Sequence, residues 1–143
     1  MSDARVAWIA LAAFVAAALA CSSGDGAPPY DGLLPLGSWG GDSAGMTVGD
    51  SGMHLEIACT YGDVSGRVPV AANGTFSVSG SYMLRAYPVA RLPPDPAQFN
   101  GQLNGSTVTV TVVVNDTAAH QSVTRGPVVM RLGGTPGWGP CPI

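Results

Sequence analysis

Between Thr107 and Val114 the chain reads Thr-Val-Thr-Val-Thr-Val-Val-Val, and this alternation constrains the fold more than any other feature. β-branched residues at every position favour extended backbone over helix. A period of two puts Val108, Val110, Val112 and Val114 on one face, with Thr107, Thr109 and Thr111 on the other. The same pattern recurs along the chain. Met53, Leu55, Ile57 and Cys59 alternate with His54, Glu56, Ala58 and Thr60, which predicts a half-buried strand with the cysteine on its inner face. Phe76, Val78, Gly80 and Tyr82 alternate with Thr75, Ser77, Ser79 and Ser81, and Val128, Met130 and Leu132 face inward against Val129 and Arg131. Weaker strand signals cover Met46 to Gly49, Val64 to Val70 and Gln98 to Leu103.

Turn chemistry separates these runs. Asn73-Gly74 and Asn104-Gly105 carry the pair of residues that a tight hairpin favours. Asp50-Ser51-Gly52 and Tyr61-Gly62-Asp63 divide the earlier runs. Twenty glycines and twelve prolines disfavour helix and supply turns. The expected fold is therefore all-β. An antiparallel meander of about seven or eight strands, with one apolar face, closes into a small barrel because closure removes exposed edges. A lipocalin-like barrel and a closed sandwich both satisfy that pattern.

The first part of the chain is different. Arg5 precedes Val6 to Ala20, fifteen apolar residues ending in Ala18-Leu19-Ala20, and Cys21 follows at once. A basic start, an apolar stretch short for a bilayer span and small residues at its end describe an export signal. The cysteine directly after the small residue makes this segment resemble a bacterial lipoprotein signal. That resemblance implies cleavage before Cys21, acylation of its thiol and attachment to a membrane through the lipid. Ala18-Leu19-Ala20 is also an A-x-A cleavage site, so an ordinary secreted product is the alternative, and an uncleaved anchor is a third. Ser22 after the cysteine resembles the outer-membrane sorting default rather than an inner-membrane retention signal. The expected location is the bacterial cell envelope.

The domain layout follows. Residues 1–20 form the signal, 21–37 a lipid-anchored flexible tether rich in Ser, Gly and Pro, and 38–143 the β-barrel domain. Leu33-Leu34-Pro35-Leu36 is the part of the tether with enough apolar surface to dock on the domain instead. If Cys21 carries lipid, Cys59 and Cys141 are left over, and in an oxidising compartment they can pair. Such a bridge closes a long loop and contributes roughly 4 kcal/mol by chain entropy. Trp39-Gly40-Gly41, the strand leading to Cys59, Gly74-x-Phe76-x-Val78-x-Gly80, Gly101-x-Leu103-x-Gly105 and a late cysteine together resemble a family of small uncharacterised bacterial lipoproteins. The resemblance spans about Ser38 to Cys141 and implies a fold and a cysteine pair, but no activity.

Charge and motif patterns narrow the function. Beyond the signal the chain has five arginines, no lysine and eight acidic residues, so no basic patch invites nucleic acid. The cysteines lack metal-ligand spacing and the two histidines stand apart, so neither a metal nor another cofactor is expected. His54 and Glu56, two apart on a strand, read as a solvated surface pair. Gly41-Asp42-Ser43-Ala44-Gly45 satisfies G-x-S-x-G, but a strand rather than a helix is expected after it, and both histidines follow the serine. A serine hydrolase acting through Ser43 is thus a distant third reading, and no catalytic residue is assigned. The first reading is a non-enzymatic envelope protein whose β-domain contacts protein or envelope polymers. The second is a lipocalin-like binder of a small apolar ligand. Four prolines between Pro88 and Pro96 keep that loop off the sheet. Arg85, Tyr87 and Arg91 of this loop, beside Trp39 or Trp138, are the candidate contacts for a ligand or partner.

Overall fold

A computed structural model describes residues 31–86, 92–137, 139 and 141. Eight strands follow one another: β1 Gly37–Gly41, β2 Ala44–Gly49, β3 Gly52–Ile57, β4 Thr60–Ser65, β5 Thr75–Met83, β6 Asp95–Asn104, β7 Thr107–Asp116 and β8 Gln121–Leu132. Each pairs antiparallel with the next, and β8 pairs with β1, so the meander closes into a barrel. No helix occurs among the described residues. The expected all-β barrel is the observed one.

Pairing is uneven around the wall. β5, β6 and β7 pair over eight positions at each of their two junctions. By contrast β4 meets β5 at three positions, Tyr61↔Met83 to Asp63↔Ser81. β1 meets β8 at only two, Trp39↔Leu132 and Gly40↔Arg131. The barrel is thus a block of short strands, β1 to β4, and a block of long ones, β5 to β8, joined along two narrow seams. Between Val110 and Val112 the β7–β8 register shifts, so that Val110 faces Val128 and Val112 faces Arg125. Gly126 and Pro127 fall in that bulge, where a residue without an N–H costs the ladder nothing.

The apolar faces point into the lumen and fill it. Trp39, Tyr82, Phe99, Leu55, Met130 and all four alternating valines of β7 have no exposed surface. Room for the rings comes from glycines in the wall. A Cβ at Gly62 would stand 2.7 Å from Phe99 Cζ, and one at Gly101 would meet the Phe76 ring, with Cε2 at 2.7 Å. The outer face of β5 and β6 is polar: Ser77 donates to Asn100 Oδ1 (2.7 Å), Ser79 donates to Gln98 Oε1 (3.0 Å), and Gln98 Nε2 donates back to Ser77 (2.8 Å). Apolar inside and polar outside is the reverse of a lipid-embedded barrel.

Several local expectations need correction. β3 stops at Ile57, and Ala58-Cys59 forms a two-residue turn with Ala58 at φ 52°, so Cys59 sits at the barrel's end rather than on a strand's inner face. Tyr61-Gly62-Asp63 is consequently not a turn but the middle of β4. Asn73-Gly74 does not close a two-residue hairpin either. The Asn73 carboxamide oxygen accepts from Thr75 N (3.1 Å) and Thr75 Oγ1 (2.7 Å), which launches β5 after a nine-residue connection. Asn104 does open a hairpin, with Gly105 and Ser106 as its turn. Met130 faces in as expected and Val128 packs against the core, but Leu132 is exposed at the end of β8.

Leu33-Leu34-Pro35-Leu36 does not float. Leu33 bridges to Pro69, Leu34 N donates to Val68 O (2.8 Å), and Val70 N donates to Gly32 O (2.9 Å). Leu34, Val68 and Val70 are buried together and close one end of the barrel.

The glycine–ring fit gives a test. Gly101→Ala is expected to destabilise the fold by about 1–3 kcal/mol, because the methyl group overpacks the lumen. Combining it with Phe76→Leu should cost less than the sum of the two single substitutions in a urea-unfolding double-mutant cycle. Simple additivity would show that the ring does not occupy the space over Gly101.

Candidate functional site

The upper end of the barrel carries the β1–β2, β3–β4, β5–β6 and β7–β8 connections. The chain enters at the lower end. Inward alternation along β6 and β7 would put two carboxylates, Asp95 and Asp116, at the upper rim, and both are buried. Arg85, two residues past β5, answers them. Its Nη1 and Nη2 donate to Asp116 Oδ1 (3.1 Å) and Oδ2 (2.7 Å), and Nη1 lies 3.9 Å from Asp95 Oδ2. Ala119 N also donates to Asp116 Oδ1 (3.0 Å), while Asp95 Oδ1 accepts from Thr117 N (3.0 Å) and Thr117 Oγ1 (2.7 Å). The Arg85 hydrogen bonds hold the Asp116 carboxyl below its usual value, and Asp116 in turn raises Arg85.

This geometry ties the exits of β5 and β7 together across β6. The guanidinium is committed to a planar two-point pair, which leaves it poorly placed to recognise a ligand. Beside it, the Tyr82 hydroxyl lies 2.7 Å from Thr60 Oγ1, which itself donates to Ile57 O (2.8 Å). Burial pushes the Tyr82 hydroxyl's pKa up, against the opposing pull of that hydrogen bond and of Arg125. Trp39 lies in the core with Nε1 donating to Pro35 O (3.3 Å). Of the sequence-selected loop residues, Arg85 is thus at the rim and Trp39 is inside, while Tyr87, Arg91 and Trp138 lie outside the described residues, as does Cys21.

A second polar cluster sits on the outer wall. His54 on β3 faces Asp63 on β4 in the ladder, and Nδ1 lies 2.6 Å from Asp63 Oδ1. Its Nε2 lies 3.4 Å from Glu56 Oε1, and the ring packs against Tyr61 with centroids 5.6 Å apart. Partial burial lowers the imidazole's pKa, but hydrogen bonds to Asp63 and then Glu56 outweigh it, so the net shift is upward. The His54–Glu56 surface pair was readable from spacing. Asp63 was not, because it joins them only once the turn is placed at Ala58-Cys59. Among the described residues no group of three His, Cys, Asp or Glu is arranged to hold a metal ion. Ser43 lies in the β1–β2 turn, where its carbonyl accepts from Ala58 N (2.9 Å), and β2 rather than a helix follows it. Among the described residues its hydroxyl makes no hydrogen bond to either histidine.

Cys59 and Cys141 form a disulfide, with Cα atoms 5.2 Å apart and a sequence separation of 82. After β8 the chain turns back along β1. Gly133 N donates to Ser38 O and Gly137 N donates to Gly41 O, each at 2.7 Å. A Cβ on Gly40 would run into the backbone of Gly134 and Thr135, so the strap lies flat only because position 40 has no side chain. Strap and disulfide together bind the end of the long-strand block onto the short-strand block. An open groove of about 670 Å³ is lined by the Pro69–Ala71 segment and by residues of β5 and β6, including Phe76 and Gly101. No family model, no curated protein and no solved structure matches the chain.

The two shifted carboxylate partnerships set opposite pH signatures. His54 is raised above 6.5, so its contribution to stability is fully present below that pH and is lost as pH rises through the raised value. Asp116 is lowered below 3.8, so its contribution is present above that pH and is lost as pH falls through the depressed value. In urea midpoints measured against pH, His54→Gln should flatten the slope near neutrality and Arg85→Gln the slope in acid. An unchanged profile in either variant would disprove the corresponding pair.

Proposed function

We propose that the chain is a lipid-anchored protein of the bacterial cell envelope, held through an acyl group on Cys21, whose β-barrel serves as a non-enzymatic binding or structural module. The observation that carries this reading is cysteine arithmetic. The disulfide uses Cys59 and Cys141, so the one cysteine left is the residue that directly follows an export signal. A structural disulfide also belongs to an oxidising compartment, the compartment that such a signal leads to.

The filled lumen supports a packed module over a lipocalin-like carrier. Rings and valines occupy the space in which an apolar ligand would sit, at side-chain spacing that leaves an eight-stranded barrel solid. The upper rim supports the same reading, because among the described residues its two buried carboxylates, Asp116 and Asp95, are held by Arg85 and Thr117. The envelope partner would be a protein or a polymer met at the wall. The outer membrane, suggested by Ser22, is the expected location.

Intact mass of protein extracted from native membranes tests the anchor. The expected species is residues 21–143 plus acyl chains, gaining two hydrogens on reduction. Cys21→Ser should move the protein to the soluble fraction with its disulfide and unfolding midpoint intact. A wild-type product without acyl chains would defeat the proposal in favour of secretion.

A further inference from the structure

We infer that the barrel stands on the bilayer with its lower end against the lipid, so that the upper rim and the β-wall face outward. This rests on the lipid-anchor reading above and extends it to an orientation and a contact surface. The described chain begins at Asp31, which is strapped to the lower end through the Leu33–Pro69 bridge and the Val70 N to Gly32 O hydrogen bond. Only nine residues, Ser22 to Tyr30, separate Asp31 from Cys21, ten Cα–Cα steps in all. A chain of that length reaches at most about 35 Å and averages roughly 17 Å. The upper rim stands a further 25 Å or so away, the axial rise of ten tilted residues.

The lower end also has the right surface chemistry. Leu36 is 46% exposed and Leu132 is 36% exposed, and the two flank Gly37, whose Cβ position would lie 3.1 Å from Leu132 Cδ1. The same end carries the exposed Pro69, Ala71 and Ala72 and the Gly105-Ser106 turn, whose Ser106 carbonyl accepts from Leu132 N. The formal charges at this end balance, Arg67 and Arg131 against Asp31 and Asp50. Arg67 pairs with Asp50 at 3.1 Å, and Asp31 Oδ1 accepts from Leu33 N at 3.0 Å. Arg131, exposed next to Leu132, makes no ion pair among the described residues and can meet a lipid phosphate. The upper end instead presents the exposed Asp42, which an anionic leaflet repels. Leu92, 41% exposed, is the upper end's own exposed leucine, but the chain does not enter there.

The test uses the acylated chain in vesicles of phosphatidylethanolamine and phosphatidylglycerol doped with a nickel-chelating lipid. Nitroxides are attached through Ser106→Cys in the lower β6–β7 turn or Ala118→Cys in the upper β7–β8 turn, both exposed. Relaxation by the headgroup nickel should be several-fold stronger at position 106 than at 118. Equal or reversed relaxation in protein that floats with the vesicles would overturn the orientation while leaving the anchor standing. Failure to float would remove the anchor reading and this inference with it. Leu36→Asp in the Ser106-labelled chain should weaken the relaxation, and an unchanged signal would overturn the leucine contact.

Discussion

Closure at the β1–β8 seam is the constraint on which the rest of this structure depends. Two residue pairs join those strands, and β1 itself, Gly-Ser-Trp-Gly-Gly, has little intrinsic preference for a sheet. Without closure the inner faces of two four-stranded blocks would be open along one side, with Trp39 and Met130 at the gap. The chain solves this after the last strand. The Gly133–Gly137 strap adds two backbone hydrogen bonds to β1, and the Cys59–Cys141 bridge fixes its far end on the β3–β4 turn. At the opposite seam, where β4 and β5 share three pairs, Leu34 and Val68 close the gap from below.

Filling the lumen follows from the same geometry. Short strands in one block and long strands in the other leave an irregular interior. Glycines at the wall let Phe76 and Phe99 lie close to the backbone where a Cβ would collide. The outer wall offers Ser, Asn and Gln ladders on β5 and β6 and the His54–Asp63–Glu56 cluster on β3 and β4, the upper end the Arg85–Asp116 pair and the exposed Asp42, and the lower end exposed leucines beside the entry of the chain.

Two of the long strands, β5 and β7, were legible because their alternation is dense, whereas β6 gave a weaker signal and only the last part of β8 showed one. β7 shows four buried valines against threonines, and β5 buries Phe76 and Tyr82 against the exposed Thr75, Ser77 and Ser79, with Val78 and Gly80 only half-buried. The short strands were less legible. β1 gave no periodic signal because its glycines serve close approach rather than burial. The β3–β4 turn was displaced because Ala58-Cys59 adopts it without the usual Asn-Gly chemistry, with Ala58 at positive φ. That shift hid Asp63 from His54. Arg85 was singled out as a contact for a ligand or partner, whereas the structure pairs it with Asp116, thirty-one residues on, and no local pattern relates the two. The disulfide was reachable by counting. The strap it secures was not, since nothing in Gly-Gly-Thr-Pro-Gly states which strand it will lie on.

Amide hydrogen exchange before and after reduction of the Cys59–Cys141 bridge tests the seam most directly. If the latch holds the barrel closed, reduction speeds exchange first at Trp39 and Gly40 of β1 and at Arg131 and Leu132 of β8. The central β6 and β7 amides should keep most of their protection. Uniform acceleration across all eight strands, or none at β1, would contradict the view that the barrel closes through its strap.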